Sequence, residues 1–361
     1  MESELDRKLR AEARRGRGAI SNEAGRFEPY QRAEVDDGWV QDPPEVLRTH
    51  VTIENARTII TRNKSPDISF DRSINPYRGC EHGCIYCFAR PSHAYLGYSA
   101  GLDFETKLIA RPNAAERLVQ ELSRKSYAAR PLAIGTNTDP YQPIEAKYLI
   151  MRRVLKVLAR FQHPVTIVTK GTLIERDIDI LSDMAAAGLA RVGISITTLD
   201  AQVSRRMEPR VPGPKRRLKM IERLSRAGIP VRAMVAPVVP GLTDHELEAL
   251  LTASNEAGAQ AAGYILLRLP GEIADLFQDW LEEHFPDRAD RVMGRMRQMR
   301  GGADYQNEFG TRMVGQGQFA SLLKHRYQIT LKRLGLAHEL PDLRCDLFCV
   351  PPKAGDQLSL F

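Results

Sequence analysis

From about residue 73 to residue 270 the sequence alternates short apolar, β-branched runs with stretches of helical period, and this alternation limits the fold more than any other feature. The runs are Ser73–Tyr77, Leu132–Thr136, Val165–Thr169, Val192–Thr197, Val231–Val239 and Ala262–Leu269. Between them, Tyr148, Met151, Leu155 and Leu158 recur at helical spacing, as do Ile178, Leu181, Met184 and Ala185, and then Leu218, Ile221 and Leu224. Thr243 and Glu246 have the spacing of a capping box before Leu247, Leu250 and Leu251. Continuously apolar runs suit strands covered on both faces, and intervening helices make them parallel. Six such units are too few for a closed eightfold barrel. The expected fold class is α/β, as a partial (β/α)6 barrel rather than an open doubly wound sheet. Either way, chemistry belongs at the C-terminal ends of the strands.

The flanks read differently. Residues 1–70 are expected to form an N-terminal arm and lead-in. The first fifty, rich in Arg, Glu, Gly and Asp, read as extended or partly disordered apart from a short helix at Leu5–Arg15. Residues 71–270 hold the barrel. Residues 271–361 read as a mostly helical extension, with helices near Leu276–Phe285, Val292–Met299 and Ser321–Leu334, a glycine-rich loop at Gly301–Gly317 and a flexible tail. No apolar run approaches the roughly 18 residues of a membrane span, and the charged run Glu2–Arg17 is not of secretory type. The net charge of +7 permits a polyanionic partner without demanding one. Five cysteines, an odd count, argue against a disulfide scaffold and for a reducing, cytoplasmic home.

Three of the five lie together. Cys80, Cys84 and Cys87 form C-x3-C-x2-C just after the first strand. Three thiolates on one loop can hold three corners of a 4Fe–4S cluster and leave one iron open. Gly79 and Gly83 relieve crowding beside so bulky a group. A structural zinc site completed by His82 is the competing reading, and a redox pair of Cys84 and Cys87 is another. Phe88 stands where covalent haem attachment needs His.

With Tyr86 before the last cysteine, this motif resembles the signature of the radical S-adenosylmethionine (radical SAM) superfamily. The strand ends resemble those of the branch containing spore photoproduct lyase: Thr136-Asn137-Thr138-Asp139, Thr169-Lys170, Ser195-Ile196-Thr197, Glu208-Pro209 and Val235-Ala236-Pro237-Val238. Gly16-Arg17-Gly18, Arg26-Phe27-Glu28, Ser73–Gly79 and Asp139–Glu145 are similar to an uncharacterised bacterial subfamily of that branch. The resemblance implies a barrel of radical SAM type, a 4Fe–4S cluster on Cys80, Cys84 and Cys87, and S-adenosylmethionine on the open iron. It implies one-electron cleavage of the sulfonium to methionine and a 5′-deoxyadenosyl radical, which takes hydrogen from a substrate. It further implies Thr138 and Asp139 at the methionine amino end, Lys170 at the carboxylate, and Ser195 and Thr197 at ribose or carboxylate, with Glu208 also beside the cofactor. Ala236, Pro237 and Val238 would wall the adenine, with Tyr86 beside it. Thr138 and Thr197 as ordinary strand residues, and Glu208 as a partner of Arg210, are the structural alternatives.

Cys345 and Cys349 lie four residues apart. One of them could approach the barrel mouth as a hydrogen-atom donor, the role a cysteine plays in spore photoproduct lyase; the alternatives are a metal site with His338, or packing. Arg205–Lys219 and Arg288–Arg300 are basic stretches that could hold phosphates or simply face solvent. The tail Gln357-Leu358-Ser359-Leu360-Phe361 resembles the bacterial sliding-clamp-binding motif. Together these readings favour a radical SAM enzyme acting on nucleic acid, lyase-like and in lesion repair, with flavodoxin or ferredoxin as electron donor and no membrane partner. The alternatives are radical modification of a protein, peptide or small metabolite, and a non-catalytic iron–sulfur or zinc protein that binds DNA or the clamp.

Overall fold

The computed structural model describes residues 14–28 and 46–352. Ten strands form: β1 (His50–Ile53), β2 (Ile60–Arg62), β3 (Arg72–Ile74), β4 (Tyr77–Arg78), β5 (Lys107–Ala110), β6 (Leu132–Ile134), β7 (Val165–Thr169), β8 (Ala190–Ser195), β9 (Val231–Val238) and β10 (Ala261–Leu266). In the main sheet β3, β6, β7, β8, β9 and β10 lie side by side in chain order, all parallel, with β2 antiparallel on the outer edge of β3. These are the six expected strands in an open, unclosed arrangement. A small second sheet, β1-β5-β4, lies at the start of the barrel.

Two strand ends fall short for stated reasons. The run Ser73–Tyr77 splits at Asn75-Pro76, where proline has no N–H to give a ladder, and Tyr77 joins the second sheet instead. β6 stops at Gly135, whose φ is +89° and whose missing Cβ would lie 1.9 Å from the Val168 carbonyl oxygen.

Helices Ile150–Arg160, Ile178–Ala186 and Pro214–Arg226 bury Met151, Leu155 and Leu158, then Leu181 and Met184, then Ile221 and Leu224 against the sheet. Ile134, Ile167, Val192, Ile194, Val231 and Val235 meet them at 0% exposure. Each such side chain is worth about 1.5–3 kcal/mol of burial. The expected capping box is absent. Thr243 Oγ1 accepts from the Val239 amide at 2.9 Å. Glu246 accepts from Thr198 Oγ1 at 2.9 Å and the Leu199 amide at 2.5 Å. Its carboxylate therefore anchors the loop after β8, and the helix Leu247–Glu256 opens through a 3₁₀ turn at Asp244–Glu246.

Helices Ile273–His284, Pro286–Gln298 and Gly317–Leu334 follow the barrel. No ladder joins β10 to β2 among the described residues. Side chains span that seam: Gly310 N–H donates to Asp67 Oδ1 at 2.7 Å, Arg312 Nη2 donates to Ser65 Oγ at 2.7 Å, and Arg312 pairs with Asp67. Residues 14–28, expected as part of a loose arm, instead pack inward, with Ala19 and Ile20 fully buried. The expected helix at Leu5–Arg15 lies almost wholly outside the described residues, as does the tail Gln357–Phe361. Among the described residues no helix is long and apolar enough to cross a membrane.

Candidate functional site

The cysteine loop follows β4 and sits at the C-terminal ends of the parallel strands. Its start is tied down by main-chain and amide bonds. Cys80 N–H donates to the Phe104 carbonyl at 2.9 Å, and the buried Gln142 accepts from Glu81 N–H at 2.9 Å while donating to the Gly79 carbonyl at 3.2 Å. Farther on, Ile85 N–H donates to the Met207 carbonyl at 3.1 Å. Gly79 and Gly83 have φ of +71° and +67°, and a Cβ on Gly83 would stand 2.6 Å from Glu105 Oε2. All three thiols are free; Cys80 and Cys84 are buried and Cys87 is half-buried. Burial pushes the Cys80 thiol well above its ordinary pKa and the Cys84 thiol up to about 12, a cost that a cationic metal on sulfur reverses.

Around this loop the strand ends place the remaining residues. Tyr86 donates its phenol proton to Glu208 and lies 3.3 Å from Thr197 Oγ1, which itself donates to Glu208 at 2.8 Å. Glu208 is fixed from behind by Arg217, fully buried, at 2.6 Å. Burial alone would raise the Glu208 carboxyl; Arg217, Lys170 and the two hydroxyl donors bring it below its ordinary value. The partner of Glu208 is thus Arg217, whereas Arg210 pairs with Glu81 at 2.6 Å.

Asp139 is engaged on both oxygens. Thr169 Oγ1 donates at 2.6 Å, the Tyr141 amide at 2.9 Å and the Lys170 amide at 2.7 Å, while His82 Nδ1 stands 3.3 Å away. Burial opposes ionisation, but His82 and these donors bring its pKa to about 2. Thr138 donates to the Tyr77 carbonyl at 3.1 Å. These two side chains, expected at the methionine amino end, tie β6 and β7 to the cysteine loop.

Lys170 differs. Its ammonium sits 5.8 Å from the Tyr86 ring centroid and makes no hydrogen bond or ion pair among the described residues. Burial would lower its pKa, yet Cys84, Glu208 and Asp139 raise it, so it stays charged. The Ser195 hydroxyl, buried at the end of β8, is likewise without a partner among the described residues. Ala236, Pro237 and Val238 close the neighbouring end of β9, with Ala236 half-exposed and the other two buried.

The donor set tests two metal groups. Among the described residues no three His, Cys, Asp or Glu side chains are placed to grip one ion, and His82, the fourth ligand a zinc site needs, faces Asp139. The residues do not fit mononuclear zinc. A cubane cluster takes each thiolate on a different iron and needs no convergence on one point; three unpaired thiols on one pinned loop fit it.

Cys345 and Cys349 are not at this mouth. Cys349 N–H donates to the Phe161 carbonyl at 3.1 Å, and Arg344 N–H to the Gly188 carbonyl at 2.9 Å. Phe161 and Gly188 precede β7 and β8, so the pair lies at the opposite ends of the strands, about 15 Å away along a five-residue strand. Neither can reach the expected hydrogen-donor position, and His338 hydrogen bonds to Tyr327 at 2.7 Å, not to either thiol. The basic stretches are engaged in part. Arg210, Arg216 and Arg217 pair with Glu81, Glu175 and Glu208. Arg297 pairs with Asp304, and Arg300 is buried against the Leu267, Thr311 and Arg312 carbonyls.

The family model of the radical SAM superfamily matches residues 74–253. An uncharacterised protein of Mycobacterium tuberculosis is 38% identical over 234 residues, 63% of this chain and 69% of its own length. The chain belongs to the radical SAM superfamily. An uncharacterised Methanocaldococcus jannaschii protein is 25% identical over 173 residues, covering 48% of this chain and 62% of its own. Among solved structures, spore photoproduct lyase complexed with dinucleoside spore photoproduct superposes with a TM-score of 0.56 at 15% identity, over 79% of both chains. A mutant of that lyase with bound AdoMet and the same dinucleoside gives 0.57 at 15% identity and the same coverage. At such identity the likeness is one of fold. Radical SAM proteins are enzymes that use a 4Fe–4S cluster and S-adenosylmethionine and need a reductant.

Sequence reasoning missed Arg90, Glu105, Gln142 and Arg217. Arg90, in Phe88-Ala89-Arg90-Pro91, stands out as a charge in an apolar stretch three residues after Cys87. Gln142 and Arg217 lie inside the segments Asp139–Glu145 and Arg205–Lys219 with nothing to single them out there, and Glu105 carries no local signal.

Proposed function

We propose that this chain is a radical SAM enzyme that reductively cleaves S-adenosylmethionine and uses the resulting radical to abstract hydrogen from a nucleic-acid substrate, in the manner of a lyase that repairs lesions. The observation that carries the reading is the pairing of three free thiols on one fixed loop with the unpartnered Lys170 ammonium at the adjacent strand end. Cys80, Cys84 and Cys87 would hold the cluster, which when bound supplies one electron to the sulfonium. Lys170 and Ser195, whose donors are free among the described residues, would hold the methionine carboxylate through charge-assisted hydrogen bonds. Tyr86, fixed by Glu208 and Thr197, would pack beside the adenine, which Ala236, Pro237 and Val238 wall on the β9 side. Asp139 and Thr138 keep the strand ends and the loop in register. The nucleic-acid class is supported by the fold shared over 79% of both chains with a lyase solved with a dinucleoside photoproduct. Flavodoxin or ferredoxin is the proposed donor, the cytoplasm the proposed site, and the sliding clamp a proposed partner of Gln357–Phe361.

The test is anaerobic reconstitution with iron and sulfide, then 5′-deoxyadenosine release with dithionite, with and without damaged DNA or RNA. Release should need Cys84 and rise when nucleic acid is added. Missing iron–sulfur absorption, or release unchanged in Cys84→Ala, overturns the radical reading. Release indifferent to nucleic acid moves the substrate to a protein, peptide or small metabolite.

A further inference from the structure

Behind the cysteine loop lies a fully buried ion pair that none of the proposed chemistry uses. Arg90 and Glu105, both 0% exposed, meet at 2.5 Å. All five guanidinium donors of Arg90 are taken: Nε by the Cys84 carbonyl at 3.0 Å, Nη1 by the Ala100 and Gly101 carbonyls at 3.1 and 2.9 Å, and Nη2 by the Gly83 carbonyl at 3.2 Å and by Glu105. Glu105 also accepts the Gly18 amide on Oε2 and the Ala19 amide on Oε1, each at 2.9 Å. Arg17 donates to the Glu105 carbonyl at 3.0 Å and to Thr49 Oγ1 at 3.0 Å, and Thr49 donates to Glu81 at 2.5 Å. Gly18 lies so close to the loop that a Cβ there would stand 1.8 Å from the Gly83 carbonyl oxygen.

We propose that Arg90 and Glu105, together with the main chain of Gly18 and Ala19, are the positioning group of the cluster loop. The inference rests on the reading that Cys80, Cys84 and Cys87 bind the cluster, and assigns these residues no contact with it. A buried ion pair is a poor source of stability in itself. This one has a geometric use, because Arg90 holds the carbonyls of Gly83 and Cys84 away from the thiols. The Cys84 and Tyr86 amides have no acceptor among the described residues and remain as free donors on the loop. Hydrogen bonds to cluster sulfur set its potential and its retention. The N-terminal segment is then a third wall of the cysteine loop, contributed from more than sixty residues upstream.

The experiment uses the full reconstituted chain and the variants Glu105→Gln, Arg90→Lys and Gly18→Ala, with Arg216→Gln as a control whose ion pair lies on the helical layer. Three readouts are compared: iron release to a chelator, the electron paramagnetic resonance spectrum of the reduced cluster, and melting of the cluster-free chain. Glu105→Gln and Gly18→Ala are expected to shorten cluster half-life about 10-fold or more and to shift the spectrum. Arg90→Lys should do the same, since an ammonium cannot serve five acceptors, while Arg216→Gln stays at the unmodified values. If Glu105→Gln does not fold, Gly18→Ala decides, because it leaves every buried charge in place. Folded variants with unchanged half-life and spectrum overturn the positioning role. An unmodified chain that takes up no iron and sulfide overturns the cluster reading beneath it, a different result from variants that all load alike.

Discussion

The two ends of the main sheet both carry cysteines, and they treat them in opposite ways. At the C-terminal ends, Cys80, Cys84 and Cys87 sit on a loop whose neighbours are buried charges in fixed pairs: Arg90 with Glu105, and Arg217 with Glu208. At the N-terminal ends, Cys345 and Cys349 belong to a segment held by two main-chain hydrogen bonds and an aromatic contact, with Phe348 5.6 Å from Tyr127 and 5.5 Å from His163. Their thiols donate only long contacts, to the Leu343 carbonyl and to Gln162 Oε1, each at 3.9 Å. Polar construction marks a place where something must be bound at a defined angle, whereas apolar contact marks a place where a chain end must merely stay down. Residue type alone does not separate the two.

The sharpest way to break the comparison is to exchange the ends. Cys84→Ala should abolish 5′-deoxyadenosine release, while Cys345→Ala and Cys349→Ala should leave it within about twofold, since a packing cysteine tolerates a small side chain. Loss of release in either C-terminal variant would place that end in the chemistry. Acid should weaken both ends, because each holds a buried neutral histidine. Burial lowers His93, beside the cysteine loop, and His163, beside Phe348, to about 4. Their unfolded pKa is about 6.5, so the unfolded chain binds more protons between pH 6.5 and 4 and stability falls as pH drops through that window. From pH 7 to pH 5 the loss should be roughly 2 kcal/mol per histidine, read as a lower urea midpoint and diminished in His93→Gln and His163→Gln alike. An unchanged midpoint at pH 5 would contradict it.

Lys170→Ala tests the mouth more gently. Losing a charge-assisted hydrogen bond should raise the KM for S-adenosylmethionine about 10- to 100-fold, with a smaller change in kcat and an intact cluster spectrum. An unchanged KM would remove Lys170 from the carboxylate. The smallest effect belongs to the other end: Phe348→Ala, half-buried, should cost about 1–2 kcal/mol, visible as a lower melting temperature, with release per folded chain unaltered.

The barrel was legible because its strands are buried on both faces, and an apolar β-branched run such as Val231–Val238 has little else it can be. Local breaks were not, since Pro76 and Gly135 act through single backbone atoms. The three cluster cysteines were legible from spacing. Their support was not, because Glu105, Gln142 and Arg217 are distant in sequence and ordinary in type. Glu208 shows the difficulty: Arg210, two residues on, reaches back to Glu81, and Arg217, one helix turn into Pro214–Arg226, takes its place. The pairing within the basic stretches was hidden for the same reason, since a count of arginines does not see Glu175, which faces both Arg216 and Arg223 from another element. Residues 14–28 looked loose because their burial rests on Arg17, Gly18, Ala19 and Ile20, too few apolar groups to register in composition.

The seam between β10 and β2 separates the barrel wall into two mechanical kinds. Six of its junctions, from β2 to β10, are main-chain ladders, indifferent to salt and to most substitutions. The seventh, where Gly310 and Arg312 meet Asp67 and Arg312 also reaches Ser65, has no ladder among the described residues and is bridged largely through one carboxylate. Among the described residues, parting the wall at this ionic latch would break no strand ladder.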